Sequence, residues 1–499
     1  MNKANLYNGQ AINVDSIPDL GLDAFRSVIL AEVAGGSRII SFFGQKILPG
    51  EVRLYSITAN DSEHSLSAVT TRLKTKYESL TPQCPQVHLF EREVFEQTGL
   101  LPEGHPWLKP VRSHDSGVGN SAFKESRRTP NHSFFTMEGE ELHEVAVGPV
   151  HAGVIEPGHF RFQCHGEIVH HLEIHLGYQH RGVEEALRGG PHKNSMIQME
   201  TVAGDTTIGH AMAYCEMLES LGGTVVTQRS QALRAVALEL ERLANHVGDL
   251  GAISNDIGYL PTSAYCGRLR GDLLNMTAEI CGSRLGRGMV RPGGVAFDFD
   301  QHMIEDLTKR LDKVEKELKG TVDQFFDTRS VISRLEGTGI VPIELCRVLG
   351  LVGLVGRASG CSIDARSDHP SGWYRVLKMP ASIGHSGDVL ARAKVRWLEM
   401  ERSLVFVKRS LSNLSEGEAR LICSRPKPNQ LAVAIVEGWR GEIVHVAVTD
   451  ADGKFARYKV TDPSFHNWMA LAMSMRGEAI SDFPLCNKSF NLSYCGFDL

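Results

Sequence analysis

Residues 148–219 decide the fold of this chain. The stretch reads GPVHAGVIEPGHFRF (148–162), then EIHLGYQHRGVEEAL (173–187), and finally METVAGDTTIGHAMAYCEMLE (199–219). Gly148-Pro149 and Glu156-Pro157-Gly158 interrupt an alternating apolar and polar run, which is typical of turns between short strands. After His180-Arg181-Gly182 the apolar spacing becomes helical. A strand-to-helix junction that gathers His, Glu and Arg is where we expect the chemistry of the chain.

Length and composition restrict the class of protein. A chain of 499 residues is too long for one ordinary core, so we expect at least two domains. Its net charge of −6 excludes a generally basic nucleic-acid binder. No apolar run could span a bilayer, and the polar start MNKANLYNGQ predicts no signal peptide. The ten cysteines are scattered without a CxxC pair, which predicts free thiols in a reducing, cytoplasmic setting.

Residues 1–112 are predicted to form a small α/β domain. SRIISFFGQK (37–46) and VRLYSITAND (52–61) have strand composition, and SLSAVTTRLKTKYESL (65–80) has the spacing of an amphipathic helix. An acidic helix over Glu91–Gln97 should stop at Gly99, and its polar side chains His88, Glu91 and Glu96 are typical of a solvated face. Residues 113–134, rich in Ser, Gly and Asn, are predicted to be a linker.

Residues 135–499 are predicted to form a mainly helical domain. Single apolar stripes predict long bundled helices over 229–254, over Ile304–Leu335, and after an N-cap at Asp388. The glycines of 282–295 lack the βαβ frame of a nucleotide site, so we expect them to allow close backbone contacts. QLAVAIVEGWRGEIVHVAVTDADGKFARYKV (430–460) alternates as strands do and carries an Asp452-Gly453 hairpin signal.

Long motifs make the chain recognisable. FEREVFEQTGLLPEGHPWLKPVR (90–112) resembles the small accessory subunit of respiratory complex I. The remainder resembles the large subunit of the complex I and membrane-bound nickel–iron hydrogenase superfamily, of the hydrogenase-4 and formate hydrogenlyase type, through GPVH, EPGHFRF, LGYQHRGVEEAL, ELERLANHVGDLGA, RGMVRPGGV, GRASGCSIDARSDHP and VEGWRGEI. The resemblance implies an α+β chain: the small N-terminal domain, then a large-subunit-like helical bundle with peripheral β-hairpins and sheet.

The resemblance also implies partners and a function. The family's large subunit packs against an iron–sulfur small subunit, and membrane ion-translocating subunits complete the complex. We therefore expect an electron-transfer subunit of a complex I-like oxidoreductase on the inner face of the cell membrane, with coupled proton movement and with quinone and NAD binding in the complex. The alternative is a structural docking subunit without catalysis.

The ligands of a nickel–iron centre are the main departure from the family. Hydrogenases hold the metals with two CxxC pairs, whose soft thiolates suit them. Here Ala203 and Thr206 occupy the first pair of positions, and Leu492 and Cys495 the second. Three of the four thiolates are replaced, so we expect no nickel–iron centre and no metal in this chain. The short stretch after Cys495 agrees with a protein that is never loaded with nickel.

The quinone site of complex I is not evident either. That site uses a His/Tyr pair as proton donors to the quinone oxygens. The hairpin HAGVIEPGHF (151–160) is closer to the hydrogenase form, in which Glu156 would be a proton-conducting carboxylate, and Thr201 falls near the tyrosine position. Quinone binding is thus implied by the family alone.

Several polar side chains remain suited to proton movement, since histidine titrates near neutral pH and a buried carboxylate can be tuned toward it. These are Glu156, His159, His175, His180, Arg181, His210, Asp364 and Arg366. The alternative is that they hold the junction and a subunit interface by hydrogen bonds. A zinc site in HHLEIHLGYQH is disfavoured, because strand alternation would put His170 and His171 on opposite faces.

Overall fold

A computed structural model describes residues 2–112 and 134–499, and it confirms the α+β class. The predicted linker lies outside the described residues except for Phe134, so the domain boundaries stay a prediction. The strands are β1 (Ala4–Leu6), β2 (Ala11–Asn13), β3 (Arg38–Leu48), β4 (Glu51–Asn60), β5 (Ser65–Leu73), β6 (Lys76–Glu78), β7 (Leu101–Glu103), β8 (Leu142–Val147), β9 (His159–His165), β10 (Ile168–His175), β11 (Val290–Arg291), β12 (Gly294–Val295), β13 (Gln430–Glu437), β14 (Glu442–Thr449) and β15 (Phe455–Thr461).

The helices follow the apolar stripes of the sequence. They are α1 (Leu22–Ala34), α2 (His88–Thr98), α3 (Val183–Ala186), α4 (Ser195–Met199), α5 (Thr207–Gly222), α6 (Gln228–Asp256), α7 (Leu260–Cys281), α8 (Gln301–Asp327), α9 (Arg329–Leu335), α10 (Ile343–Leu349), α11 (Gly353–Ala358), α12 (Ala365–Asp368), α13 (Val389–Ser412), α14 (Pro463–Ser474), α15 (Phe483–Phe490) and α16 (Tyr494–Asp498). Across the described ranges, none is long and apolar enough to cross a membrane.

The N-terminal sheet is antiparallel, in the order β1-β5-β4-β3. The strands predicted in 37–46 and 52–61 are confirmed as β3 and β4, but the helix predicted over 65–80 is wrong, because that stretch forms β5 and β6. The sheet is covered on both faces: Leu66 and Ala68 pack toward β13 and β14, while Val69 packs into the main core. Burial on both faces removes the alternation that identifies a strand.

A second sheet joins the two ends of the chain, in the order β15-β14-β13-β2. The predicted strands of 430–460 are confirmed, with Gly453 at φ 77° in the turn before β15. The N-terminal strand β2 pairs with β13, Ala11 opposite Ala432 and Asn13 opposite Gln430. The first and second sheets therefore share one buried core.

Long helices form the bundle, in which α6 packs against α7 and α13, and α8 packs against α7 and α13. The prediction for 229–254 is confirmed by α6, and the N-cap of α13 by the Asp388 Oδ1 that accepts from the Ala391 amide at 2.7 Å. The single helix predicted over Ile304–Leu335 is wrong. It breaks at Thr328, whose backbone is extended and whose hydroxyl donates to the Gln324 carbonyl at 2.7 Å.

Helix α2 ends at Gly99 as predicted, with φ 81°, but its solvated face is a wrong prediction. Glu91 is fully buried, and its carboxylate accepts hydrogen bonds from Ser79, Leu80 and Thr81 at the start of the helix. His88 and Glu96 are half-buried. A charged side chain on a helix can thus be internal when a neighbouring loop supplies its donors.

The glycine-rich segments make close backbone contacts, as predicted. A Cβ atom on Gly293 would lie 2.0 Å from the Leu421 carbonyl oxygen, and one on Gly353 would lie 2.2 Å from the Cα atom of Gly441. Both glycines also have positive φ, which L side chains disfavour. The Gly353 contact seats α11 against the turn between β13 and β14.

Candidate functional site

Two arginines bring together the two segments that carry cysteine pairs in hydrogenases. Arg181 lies in the turn between β10 and α3. Its Nη1 donates to the Thr201 carbonyl at 2.6 Å, and its Nη2 donates to the carbonyls of Val202 at 2.9 Å and Cys495 at 3.3 Å. The junction predicted from the sequence therefore holds residues 201–206 against the C-terminal segment.

Arg440 makes the second connection from the turn between β13 and β14. Its Nη1 and Nη2 donate to the two carboxylate oxygens of Asp205 at 2.6 and 2.8 Å, and its Nε donates to the Asn491 carbonyl at 2.6 Å. The guanidinium lies 3.9 Å above the ring centroid of Trp439, whose Nε1 donates to the Asp205 carbonyl. A two-pronged ion pair of this kind fixes direction as well as distance.

Glu156 faces Cys495 beside these two arginines. The half-buried Glu156 side chain lies close enough to Cys495 for each to affect the ionisation of the other. Burial raises the pKa of Glu156 and Asp205 adds to the rise, while Arg440 opposes it. Burial and the Glu156 carboxylate also raise the pKa of the Cys495 thiol. Burial therefore favours the protonated form of both side chains.

The side chains at this junction do not fit a nickel–iron centre. Cys495 supplies one sulfur, while Ala203 and Leu492 are buried apolar side chains and Thr206 donates no thiolate. Over residues 2–112 and 134–499 there is no group of three His, Cys, Asp or Glu that could hold a metal ion. The ten cysteines are free, as predicted.

The C-terminal turn closes the site from the other side. The buried Asp498 carboxylate accepts from the amides of Gly177 and Gln179 at 2.7 and 2.8 Å. His180 Nδ1 lies 2.7 Å from the Asp498 carbonyl oxygen. Burial raises the pKa of Asp498 to about 6, although its two backbone donors oppose the shift. His180 thus contacts the junction through the backbone carbonyl of Asp498.

The pKa of Asp498 predicts a pH dependence of stability. It is near 3.9 in an unfolded chain and about 6 here, so this carboxyl stabilises the fold fully below pH 4 and loses that contribution as pH rises through 6. We expect Asp498→Asn to remove about 2–3 kcal/mol of the fall in unfolding free energy between pH 4 and 7. Urea unfolding at several pH values measures it. Asp452→Asn, in an exposed turn, should keep the wild-type slope, and an unchanged slope in Asp498→Asn would contradict the assignment.

His210 is fully buried on α5 and contacts two other buried polar side chains. Its Nε2 is 3.1 Å from Oδ2 of Asp462, and its Nδ1 is 3.1 Å from Nε2 of His445. Asp462 also caps α14 by accepting from the Ser464 amide at 2.8 Å. His210 therefore belongs to a buried polar chain rather than to the surface of the junction.

His159 and His175 lie opposite each other on β9 and β10. His159 Nδ1 is 3.2 Å from the Gly148 carbonyl oxygen, and burial lowers its pKa. His175 is buried with its ring edge-on to Tyr178. Both side chains support the hairpin that carries Glu156.

Asp364 and Arg366 belong to a second group, which we call the buried charge cluster. No member is more than 3% exposed. Its members are Glu239, Arg242, Arg357, Asp364, Arg366, Glu399 and Glu437. Four carboxyls face three guanidinium groups, and burial raises the pKa of Glu437 to about 7, although Arg357 opposes the rise. The cluster adjoins the site through the β13–β14 turn, where Arg242 donates to the Glu437 and Gly438 carbonyls.

Sequence reasoning missed several residues of the site, namely Asp205, His445, Tyr458, Asp462 and Asp498. Arg440 lies within the quoted motif VEGWRGEI but was not singled out. A Trp-Arg pair in a two-residue hairpin turn between buried strands is the available signal, because a charge there must find an internal partner. The other residues carry no local signal.

Comparisons with known proteins identify the family of the chain. Residues 256–498 match the family model "Respiratory-chain NADH dehydrogenase, 49 Kd subunit", and residues 50–124 match "Respiratory-chain NADH dehydrogenase, 30 Kd subunit". The carbon monoxide-induced hydrogenase of Rhodospirillum rubrum is 31% identical over 348 residues, which are 70% of this chain and 96% of that protein. The chain belongs to the complex I and membrane-bound hydrogenase superfamily.

Other members of the superfamily match a similar length. Formate hydrogenlyase subunit 5 of Escherichia coli is 29% identical, covering 84% of this chain and 76% of the relative. NADH-quinone oxidoreductase subunit 4 of Thermus thermophilus is 28% identical, covering 68% and 90%. The chain is thus a complex I-like oxidoreductase subunit that joins counterparts of the 30 Kd and 49 Kd subunits in one polypeptide.

Proposed function

We propose that this subunit passes electrons from an iron–sulfur cluster in a small partner subunit and couples their passage to proton movement, without a nickel–iron centre of its own. The observation that carries the proposal is the side-chain set at the junction. One thiol, Cys495, faces the Glu156 carboxylate where hydrogenases need four thiolates. Such a pair can move a proton but cannot supply the soft ligands of a nickel–iron pair.

Proton transfer is supported by the electrostatics around Glu156. Burial raises the pKa of Glu156, which favours its protonated, proton-donating form, and it raises the pKa of Asp498 to about 6. A quinone fits this setting as electron acceptor, because each reduced oxygen needs a nearby proton donor. We assign NAD binding to another subunit, since the glycine-rich segments here serve backbone contacts.

Exposed apolar side chains around the site support a docked partner. Val150 and Ile155 flank the turn of Glu156, Tyr178 lies beside Arg181, and Ile197 lies on α4; they are 88%, 46%, 39% and 60% exposed. Large exposed apolar side chains on converging segments are typical of protein interfaces. We infer that the iron–sulfur subunit covers them, and that membrane ion-translocating subunits hold the assembly on the cytoplasmic face of the membrane.

Metal analysis of the purified chain, alone and with its co-purifying partners, tests the proposal. We expect iron only in the presence of a partner, no nickel, and electron transfer from the intact complex to quinone analogues. Stoichiometric nickel in the chain itself would restore hydrogenase chemistry and overturn the proposal. A complex that holds iron but transfers no electrons to any quinone analogue would favour a docking role.

A further inference from the structure

A continuous hydrogen-bonded chain runs from the candidate site through the interior. Asp462 Oδ2 is 3.1 Å from His210 Nε2, and His210 Nδ1 is 3.1 Å from His445 Nε2. His445 Nδ1 is then 2.7 Å from the hydroxyl of Tyr458. None of the four side chains is more than 1% exposed. They come from α5, β14, β15 and the start of α14, so only the tertiary fold brings them together.

The order of donors along this chain follows from its chemistry. The Asp462 carboxylate can only accept, so His210 donates through Nε2, and a neutral imidazole then accepts at Nδ1. His445 therefore donates through Nε2 and accepts at Nδ1, which leaves Tyr458 as the donor to His445. Every ring nitrogen then has one role. All three hydrogen bonds point the same way, from Tyr458 to Asp462.

The inner end of the chain touches the candidate site. A Cβ atom on Gly496 would lie 2.6 Å from Oδ2 of Asp462, so only glycine lets the segment next to Cys495 approach this carboxylate. Burial opposes ionisation of Asp462, but His210 and Arg440 hold its pKa below the ordinary value. Asp462 is therefore held as an ionised carboxylate next to the segment that carries Cys495, and a proton that reaches it is readily released.

The Tyr458 end of the chain borders a cleft that β3 and the end of α2 line on one side. Tyr458 lines this cavity, which has a volume of about 350 Å³, together with Arg112, His180 and Glu184. The cleft also carries exposed polar side chains at its rim, among them Lys46 and Glu185. It is large enough for several water molecules, each of which needs about 30 Å³.

We propose that Tyr458, His445, His210 and Asp462 form a proton relay that delivers protons from this cleft to the candidate site. A water in the cleft gives a proton to the Tyr458 oxygen while the phenol proton passes to His445 Nδ1. The Nε2 proton of His445 then passes to His210 Nδ1, and the Nε2 proton of His210 passes to Asp462. One proton leaves the cleft and one arrives on Asp462, and no other atom is gained or lost. The inference rests on the proposed proton-coupled function.

Because the side chains of the relay are buried, they are better suited to passing a proton on than to holding one. Burial holds the pKa of His445 well below its ordinary value and that of Tyr458 well above its own. Neither side chain therefore holds a charge at rest. A purely structural network would give the same hydrogen bonds, so the test needs a readout of transfer.

Ring-nitrogen NMR of the full chain labelled with ¹⁵N-histidine tests the order of donors. We expect His445 to stay neutral from pH 5 to 8 with its proton on Nε2, and Tyr458→Phe to shift only the Nδ1 resonance of its ring. Tyr214→Phe is the matched control, because Tyr214 is also buried and its ring centroid is 6.1 Å from that of Tyr458. A proton on Nδ1 of His445 would overturn the relay.

Turnover of the intact complex tests transfer itself. In Tyr458→Phe we expect quinone-analogue reduction to fall about 100-fold with a larger solvent deuterium isotope effect, whereas Tyr214→Phe keeps the wild-type rate. If the wild-type complex is active and both variants match it, the relay is wrong and the proposed function stands. If the wild-type complex is inactive, the proposed function fails, and the relay fails with it.

Discussion

Replacing Glu156 with Gln is expected to lower quinone-analogue reduction by the assembled complex about 100-fold. Gln keeps the size and the hydrogen-bonding oxygen of the side chain but can neither bind nor release a proton. The Glu156 carboxylate is the titratable group that the Cys495 thiol and amide face, with Arg181 and Arg440 holding the segments around it. Removing a positioned general acid or base costs about 10²–10⁴-fold in rate. Steady-state assays on complexes with verified subunit content measure the effect.

The matched control is Glu141→Gln, which removes a carboxylate that is 81% exposed on the edge of the same domain. We expect it to leave the rate unchanged. The docking-subunit alternative makes the opposite forecast for Glu156→Gln, namely an effect on subunit content and none on the rate per assembled complex. Equal rates in the wild type and in an intact Glu156→Gln complex would therefore reject the catalytic role of Glu156.

Replacing Arg357 with Met is expected to destabilise the chain by about 3–5 kcal/mol. Arg357 lies within the buried charge cluster, where its guanidinium is 2.7 Å from both Glu399 and Glu437. Without Arg357, the carboxylates of Glu399 and Glu437 remain buried but lose the closest cation that they share. Although burial pushes the pKa of Glu399 upward, Arg357 and His246 hold it well below the ordinary value. Chemical denaturation followed by tryptophan fluorescence gives the difference in unfolding free energy.

The loss should depend on pH in a defined direction. Carboxyls that lose their cation bind protons more tightly in the fold than in the unfolded chain, so the destabilisation should be smaller at pH 5 than at pH 8. Arg268→Met provides the control, because its ion pairs with Asp272 and Glu317 are largely exposed and should cost less than about 1 kcal/mol. Equal losses in the two variants would contradict a stabilising role for the cluster.

The local sequence pattern was enough to predict much of the fold. Where it failed, the structure depends on partners that are far away in the sequence. Helix α6 and strands β13–β15 lie where the sequence predicts them, although β13 and β14 are buried on both faces, because the β-branched composition of 430–460 is typical of strands. Strand β5 was misread because both its faces are buried. Glu239 and Arg242 lie off the apolar stripe of α6 yet are fully buried, since the 437–442 turn and α13 supply their partners. Those partners are about 160 or more residues away in the sequence.

The candidate site was predictable only in part. Glu156, Arg181 and His210 lie on recognisable motifs, and each contributes to the junction or to the polar chain behind it. Asp364 and Arg366 were grouped with them but lie in the separate buried charge cluster. The roles of His445 and Tyr458 could not be predicted, because in an alternating strand a buried polar side chain gives the same sequence pattern as one that faces solvent. Their role depends on a strand pairing that no local pattern specifies.

The pairing of β2 with β13 determines how late in translation the second sheet can be completed. Residues 11–13 leave the ribosome more than 400 residues before their partner strand at 430–432. At about 5–20 residues per second, the N-terminal edge waits roughly 20–80 s for its neighbour. Throughout that interval the apolar face of the first sheet, which β13 and β14 later cover, is open to other chains and to chaperones. A nascent chain stalled before residue 430 should therefore associate with holdase chaperones through this face.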